Sequence, residues 1–147
     1  MSDLRPPWYL KPMNRLVKAI QKLGIPAGPS QILTVPGRKS GKLRSTPMTP
    51  FAHEGGLYTV AGYPGADWAA NARAAGAGTL TRGRRSRRVK IVELNASDAA
   101  PVLRSFAVEV PVGVGFAKRS GLVREGTPDE FAALAGELAV FRFDPPD

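Results

Sequence analysis

Apolar positions in this chain repeat with two periods. Met13, Leu16, Val17, Ile20 and Leu23 recur at helical spacing, and Arg15, Lys18 and Lys22 fall off that stripe. The pattern predicts an amphipathic helix from Pro12 to about Leu23. Proline suits a first helical turn, where an N–H has no partner to lose, and Gly24 is a stop. Residues 1–11, with Trp8 and Tyr9, read as an extended arm. From Gln31 the period shortens. Gln31–Val35 predicts a strand, followed by the glycine-bracketed basic turn Pro36-Gly37-Arg38-Lys39-Ser40-Gly41-Lys42. A polar-alternating strand with Arg44, Thr46 and Thr49 resumes after it.

The same reading continues downstream. Ala52–Gly56 predicts a turn, Leu57–Ala61 a strand and Gly62–Gly65 a loop. Asp67–Ala75 predicts a short helix, with an aspartate where the helix dipole favours a negative charge. Thr79–Arg82 and Arg87–Leu94 predict a hairpin, and a helix follows from an N-cap at Asp98 to about Val108. Residues 109–126, rich in glycine, predict irregular chain. Thr127-Pro128-Asp129-Glu130 is a helix start with a capping box, running to about Gly136, and Ala139–Phe143 predicts a last strand. Short antiparallel strands with flanking helices give an α+β fold, best met by a small closed or half-open barrel. No repeat or domain boundary is visible, so residues 1–147 read as one domain.

Composition narrows the chemistry. The net charge is +9, which favours an anionic partner: nucleic acid, an anionic membrane face, or a phosphorylated or carboxylated small molecule. There is no cysteine and only one histidine, His53, so thiolate chemistry is excluded and a metal site built on imidazoles is disfavoured. The lack of cysteine leaves the compartment open, cytoplasmic by default with a peripheral place on the inner membrane face as the variant, and a signal peptide pattern and an apolar run of about 18 residues are both missing.

Four cations fall in the span Arg38 to Arg44. Concentrated at one sheet edge with free backbone N–H groups, they suit a phosphate or carboxylate ligand, although a solvated basic turn reads the same way. A nucleotide P-loop is ruled out: Arg38 and Leu33 stand where that pattern needs glycines, and a strand follows instead of a helix. Arg82, Arg84, Arg85, Arg87, Arg88 and Lys90 form a second basic stretch. It reads as an exposed, protected sheet edge rather than a nucleic-acid surface, since no stacking aromatic lies between residues 79 and 94. Tyr63, Trp68 and Asn71 cluster after the Leu57–Ala61 strand, Tyr63 on an exposed loop. The N-terminal stripe either packs on its own domain, the favoured reading, or lies on an anionic membrane.

The run Leu33-Thr34-Val35-Pro36-Gly37-Arg38-Lys39-Ser40-Gly41-Lys42-Leu43-Arg44-Ser45-Thr46-Pro47 resembles a segment of the deazaflavin-dependent nitroreductases, actinobacterial proteins also called coenzyme F-420-dependent quinone reductases. Tyr58–Gly62, Gly65–Trp68, Asn71, Arg73 and Val140–Phe143 extend the likeness over most of the chain from Gln31. The resemblance implies a split β-barrel holding coenzyme F-420, an 8-hydroxy-5-deazaflavin. It implies that Arg38, Lys39, Ser40, Gly41, Lys42 and Arg44 grip the phosphate and oligoglutamate tail. Ser45, Thr46 and Pro47 would flank the ring, Val60, Ala61, Gly62 and Tyr63 would line it, and Trp68 and Asn71 would close the pocket. After Tyr63 the chain has no tyrosine, unlike the nitroimidazole-reducing members, so the acceptor stays open.

The resulting reading is an oxidoreductase that passes a hydride from reduced deazaflavin to a quinone or a conjugated alkene, with Tyr63 as the candidate proton donor. The alternatives are an FMN-using barrel, a non-catalytic deazaflavin carrier and a basic nucleic-acid-binding barrel.

Overall fold

The computed structural model describes residues 30–146. The expected N-terminal helix lies outside the described residues. Seven strands form one sheet in the order β2-β1-β5-β6-β7-β4-β3: β1 Gln31–Pro36, β2 Leu43–Met48, β3 Phe51–His53, β4 Gly56–Val60, β5 Ala77–Arg82, β6 Arg85–Glu93 and β7 Val140–Asp144. Every pairing is antiparallel. The two edge strands, β2 and β3, are consecutive in sequence, joined only by Thr49 and Pro50. So short a link brings the outer edges near each other, and the sheet curls into the half-open barrel that the strand spacing predicted.

Side chains alternate across this sheet. Leu33, Val35, Leu80, Val89, Ile91, Phe141 and Phe143 face inward as one core. Helix α1, Asp67–Ala75, presses Ala69 and Ala72 onto that core. Alanine on the buried face lets the helix sit close to the strands. Val140, on the opposite parity, belongs to a second core formed with α2 Ala96–Glu109, α3 Pro111–Arg119 and α4 Pro128–Ala132. Phe106 and Phe131 meet edge-on there, with ring centroids 5.3 Å apart.

Four local expectations change. Residues 109–126 are not wholly irregular, because α3 occupies Pro111–Arg119. Its Gly113 faces the Phe106 ring so closely that a Cβ would stand 2.3 Å from Cζ. Helix packing, rather than local propensity, explains this glycine. The cap of α2 is Asn95, whose Oδ1 accepts the Asp98 N–H at 2.8 Å; Asp98 itself sits in the first turn. The segment read as a turn from Ala52 begins as strand β3, which pairs with β4. The Thr127–Glu130 capping box forms as expected, but its helix stops at Ala132.

Candidate functional site: a basic turn facing helix α1

The turn between β1 and β2 is fixed by its own backbone. Gly37 N–H donates to Lys42 O at 2.7 Å, and Gly41 N–H donates to Gly37 O at 2.9 Å. Gly41 takes φ 73, a left-handed conformation that a side chain would strain. Lys42 N–H donates to Ser40 Oγ at 3.2 Å. The closed loop leaves Lys39, Lys42 and Arg44 exposed, and none of the three side chains has a hydrogen-bonding or ionic partner among the described residues.

Arg38 differs. Its backbone N–H and Nη1 both donate to Asn71 Oδ1, at 3.1 and 2.8 Å. Nη1 also reaches Asp67 O, and Nη2 reaches Asp67 Oδ1, each at 3.4 Å. Asp67 and Asn71 lie four residues apart and so share one face of α1. Asn71 is 8% exposed and one of the few buried polar residues. Burial of its amide is tolerated because the oxygen is satisfied.

Between the turn and α1 lies a cleft of about 890 Å³, whose lining includes Ile32, Arg38, Lys39, Ser40, Leu43 and Arg44. Ser45, Thr46, Asp67, Trp68 and Asn71 complete its walls. Trp68 is half-buried and packs on Phe141, ring centroids 5.6 Å apart, so one wall offers an indole face. Ser45 Oγ and Thr34 Oγ1 share a hydrogen bond of 2.9 Å on the β1–β2 wall. The cleft thus joins an apolar wall, hydroxyl groups and a cationic rim.

The structure divides the expected site residues. Arg38, Lys39, Ser40, Arg44, Ser45, Thr46, Trp68 and Asn71 line this cleft together. Gly41 and Lys42 complete the turn at its rim, and Pro47 pairs with Ile32 across the hairpin. Val60 packs with the helices of the second core, and Gly62 faces Phe116. Ala61 and Tyr63 line a smaller cleft of about 350 Å³, with Ala69, Ala70, Arg73 and Glu93. Tyr63 is half-buried, and its hydroxyl has no hydrogen-bond partner among the described residues. Burial, reinforced by the negative charge of Asp67, raises its pKa above the usual phenol value of 10.0. Asp67 therefore touches both clefts, electrically in one case and as lining in the other. Asp67 was read from sequence only as a favourable helix start. Its spacing from Asn71 was the signal that it also faces the turn.

The second basic stretch is exposed from Arg84 to Arg88 and lines neither cleft. Arg88 Nη1 donates to Thr79 Oγ1 at 3.0 Å across the β5–β6 pair. Among the described residues no group of three or more His, Cys, Asp or Glu could hold a metal ion, and no single helix is long and apolar enough to cross a membrane.

Comparison with solved structures places the fold. A pyridoxamine 5'-phosphate oxidase-related, FMN binding protein of Nostoc punctiforme is 11% identical over 97% of this chain and 82% of its own, with a TM-score of 0.56. The heme storage protein HutZ of Vibrio cholerae is 9% identical over 90% of this chain and 89% of its own, TM-score 0.51. A Listeria innocua protein described as a pyridoxamine 5'-phosphate oxidase is 11% identical over 92% and 94%, TM-score 0.50. At such identities the likeness is one of fold, the split barrel of the FMN-binding kind. Comparison with curated proteins returns no match. The sequence model of the F-420H(2)-dependent quinone reductases matches residues 13–123, more than half of the chain and all of the basic turn and α1. The chain belongs to that family: it is a split-barrel oxidoreductase that passes a hydride from reduced coenzyme F-420 to an organic acceptor.

Proposed function

We propose that the larger cleft is the deazaflavin seat and that the basic turn receives the acidic tail of the cofactor. The observation that carries this is the trio Lys39, Lys42 and Arg44, whose side chains are exposed and without partners among the described residues on a turn closed by its own backbone hydrogen bonds. Cations with no internal counter-ion suit a ligand that brings its own negative charge. Trp68 on α1 and Ile32 on β1 give the lining apolar surface that suits a planar head. A cleft of about 890 Å³ is within the size range of cofactor sites. The residues therefore fit a ligand with an aromatic head and a polyanionic tail.

Reduced deazaflavin supplies the hydride; the chain supplies binding and orientation. Lys39, Lys42 and Arg44 hold the tail. Ser45 and Thr46 present hydroxyls beside the head, and Trp68 shields it from water. Tyr63, which lines the smaller cleft, is the proposed proton donor, and this role requires an acceptor that extends from the deazaflavin seat into that cleft. Like any tyrosine its phenol is protonated at neutral pH, and its hydroxyl has no hydrogen-bond partner among the described residues. The acceptor is a quinone or a conjugated alkene. The net charge of +9 would also draw the protein to an anionic membrane face, where quinones dissolve; co-sedimentation with anionic vesicles tests that extension.

FMN is the second reading, supported by the FMN binding barrel of Nostoc punctiforme. Fluorescence titration of the purified protein with oxidised coenzyme F-420 and with FMN separates the two. Tight binding of F-420 and weak binding of FMN is the expected result; the reverse order overturns the proposal.

A further inference from the structure

We propose that Arg38 is the positioning residue of the larger cleft, a latch that ties the basic turn to helix α1, rather than one of the groups that grip the anion. The inference rests on the cofactor seat proposed above and divides the labour within it. Within the span Arg38 to Arg44, Arg38 alone is engaged internally at both backbone and side chain. Asn71 Oδ1 takes its backbone N–H at 3.1 Å and its Nη1 at 2.8 Å, which uses both lone pairs of that oxygen. The amide is therefore oriented, with its oxygen toward the turn. Asp67 takes the other side of the guanidinium through Oδ1 and its backbone oxygen, at 3.4 Å each. Two helix residues one turn apart thus hold one arginine.

Two consequences follow. The first concerns charge. Asp67 lies 3.4 Å from the guanidinium, so the Arg38 charge already has a counter-ion. The charge offered to a ligand comes from Lys39, Lys42 and Arg44. The second concerns width. The turn and α1 are separate elements, 33 residues apart in sequence at this contact. Their spacing sets the gap between the cationic rim and Trp68. The Arg38–Asn71 bonds cross that gap, so they fix how far the tail site stands from the indole wall. A planar guanidinium can meet two acceptors at once and a lysine ammonium on its single stem cannot reproduce the fork.

The test is a salt titration of F-420 binding by wild type, Arg38→Lys, Arg38→Ala, Asn71→Ala, Lys39→Ala and Arg44→Ala. Lys39→Ala and Arg44→Ala are expected to flatten the dependence of log Kd on log salt, because each removes a charge that the ligand meets. Arg38→Lys and Asn71→Ala are expected to weaken binding by about five- to twentyfold, with a wild-type salt slope. The double variant Arg38→Ala with Asn71→Ala is expected to bind no more weakly than the worse single variant, as partners in one contact do. If Arg38→Lys binds like wild type, or if Arg38→Ala flattens the salt slope as Lys39→Ala does, Arg38 is an anion ligand and the latch is overturned. A second readout needs no cofactor. Amide exchange at the Arg38 N–H is expected to accelerate in ligand-free Asn71→Ala, and unchanged exchange overturns the latch. Failure of wild type to bind F-420 would remove the seat proposal and leave the exchange measurement to decide the latch.

Discussion

Arg73 on α1 and Glu93 at the end of β6 meet in two parallel hydrogen bonds, Nε to Oε1 and Nη2 to Oε2, each 2.7 Å long. This fork clamps the helix to the barrel on the flank opposite the Arg38 contact. Its hydrogen bonds to Glu93 are also the main reason the Arg73 pKa lies above its usual value. Both side chains reach solvent, 53% and 32% exposed, so screening limits the contribution to about 0.5–1 kcal/mol. Arg73→Ala or Glu93→Gln is expected to lower Tm by about 1–4 °C. The charge-swapped pair, Arg73→Glu with Glu93→Arg, should recover part of that loss. Equal Tm values for wild type and both single variants would show that the clamp carries no stability.

The tail site predicts a graded response. Lys39→Ala and Arg44→Ala are each expected to weaken F-420 binding by about 1 kcal/mol, the lower part of the range for charged hydrogen bonds because both side chains are exposed. The loss should shrink for a cofactor without its oligoglutamate tail. Titration of both cofactor forms against each variant checks this; equal losses on the two forms would detach these residues from the tail.

Tyr63→Phe is expected to lower kcat by about tenfold or more with little change in KM, the pattern of a group that acts in the transition state. A burial-raised phenol pKa favours the neutral form. Its contribution to stability is present below the unfolded value of 10.0 and is lost as pH rises through the folded value. Ultraviolet titration should therefore find one tyrosine ionising later than in denatured protein, and that transition should vanish in Tyr63→Phe. An unchanged kcat would assign protonation to solvent.

Glu130 makes a pH-dependent contribution of the opposite sense. Backbone N–H groups, led by those of Arg124 and Thr127 and joined by Glu125 and Gly126, hold its carboxyl at a pKa of about 2, against an ordinary value of 4.5. A depressed carboxyl stabilises the fold above its unfolded pKa and loses that contribution as pH falls. The window here runs from about 4.5 down to about 2. Wild type is expected to melt above Glu130→Gln at neutral pH, and the two curves should converge as pH approaches the lower limit. Parallel Tm–pH curves for both proteins would contradict this.

The arginines of β6 are expected to be spectators in turnover. Arg85→Gln with Arg87→Gln should leave kcat/KM within about twofold of wild type, as surface substitutions do when they touch no site. A collapse of turnover in a protein with an unchanged Tm would assign the hairpin a direct role.

What was legible in the sequence was what neighbouring residues decide. The Thr127–Glu130 box could be read because the residues that make it are three apart. Helix α1 was read at its observed limits because Asp67 and the glycine after Ala75 mark its ends. Helix α3 was lost because Gly113 and Gly115 argue locally against a helix, and the reason for Gly113 is a ring seven residues away, Phe106. The cleft was legible in its residue types but not in its arrangement. Tyr63 and Trp68 are five residues apart, yet α1 sends them to different clefts. Arg38 looked like one cation among four, and only its contact with Asn71, far along the chain, sets it apart.

The place of β7 has a consequence for how the chain is made. It is the last strand in sequence, yet it sits inside the sheet, joining β6 on one side to β4 on the other. Without it the strands form two unconnected groups, β2-β1-β5-β6 and β4-β3, and Phe141 and Phe143 are missing from the core. A ribosome therefore releases nearly the whole barrel before the piece that closes it. Until Val140–Asp144 emerges, the nascent chain holds open strand edges at β6 and β4, which are templates for pairing with another chain. The stretch of β6 that waits for β7 is Lys90–Glu93, and the charged Lys90 and Glu93 within it oppose pairing with a foreign strand during the wait.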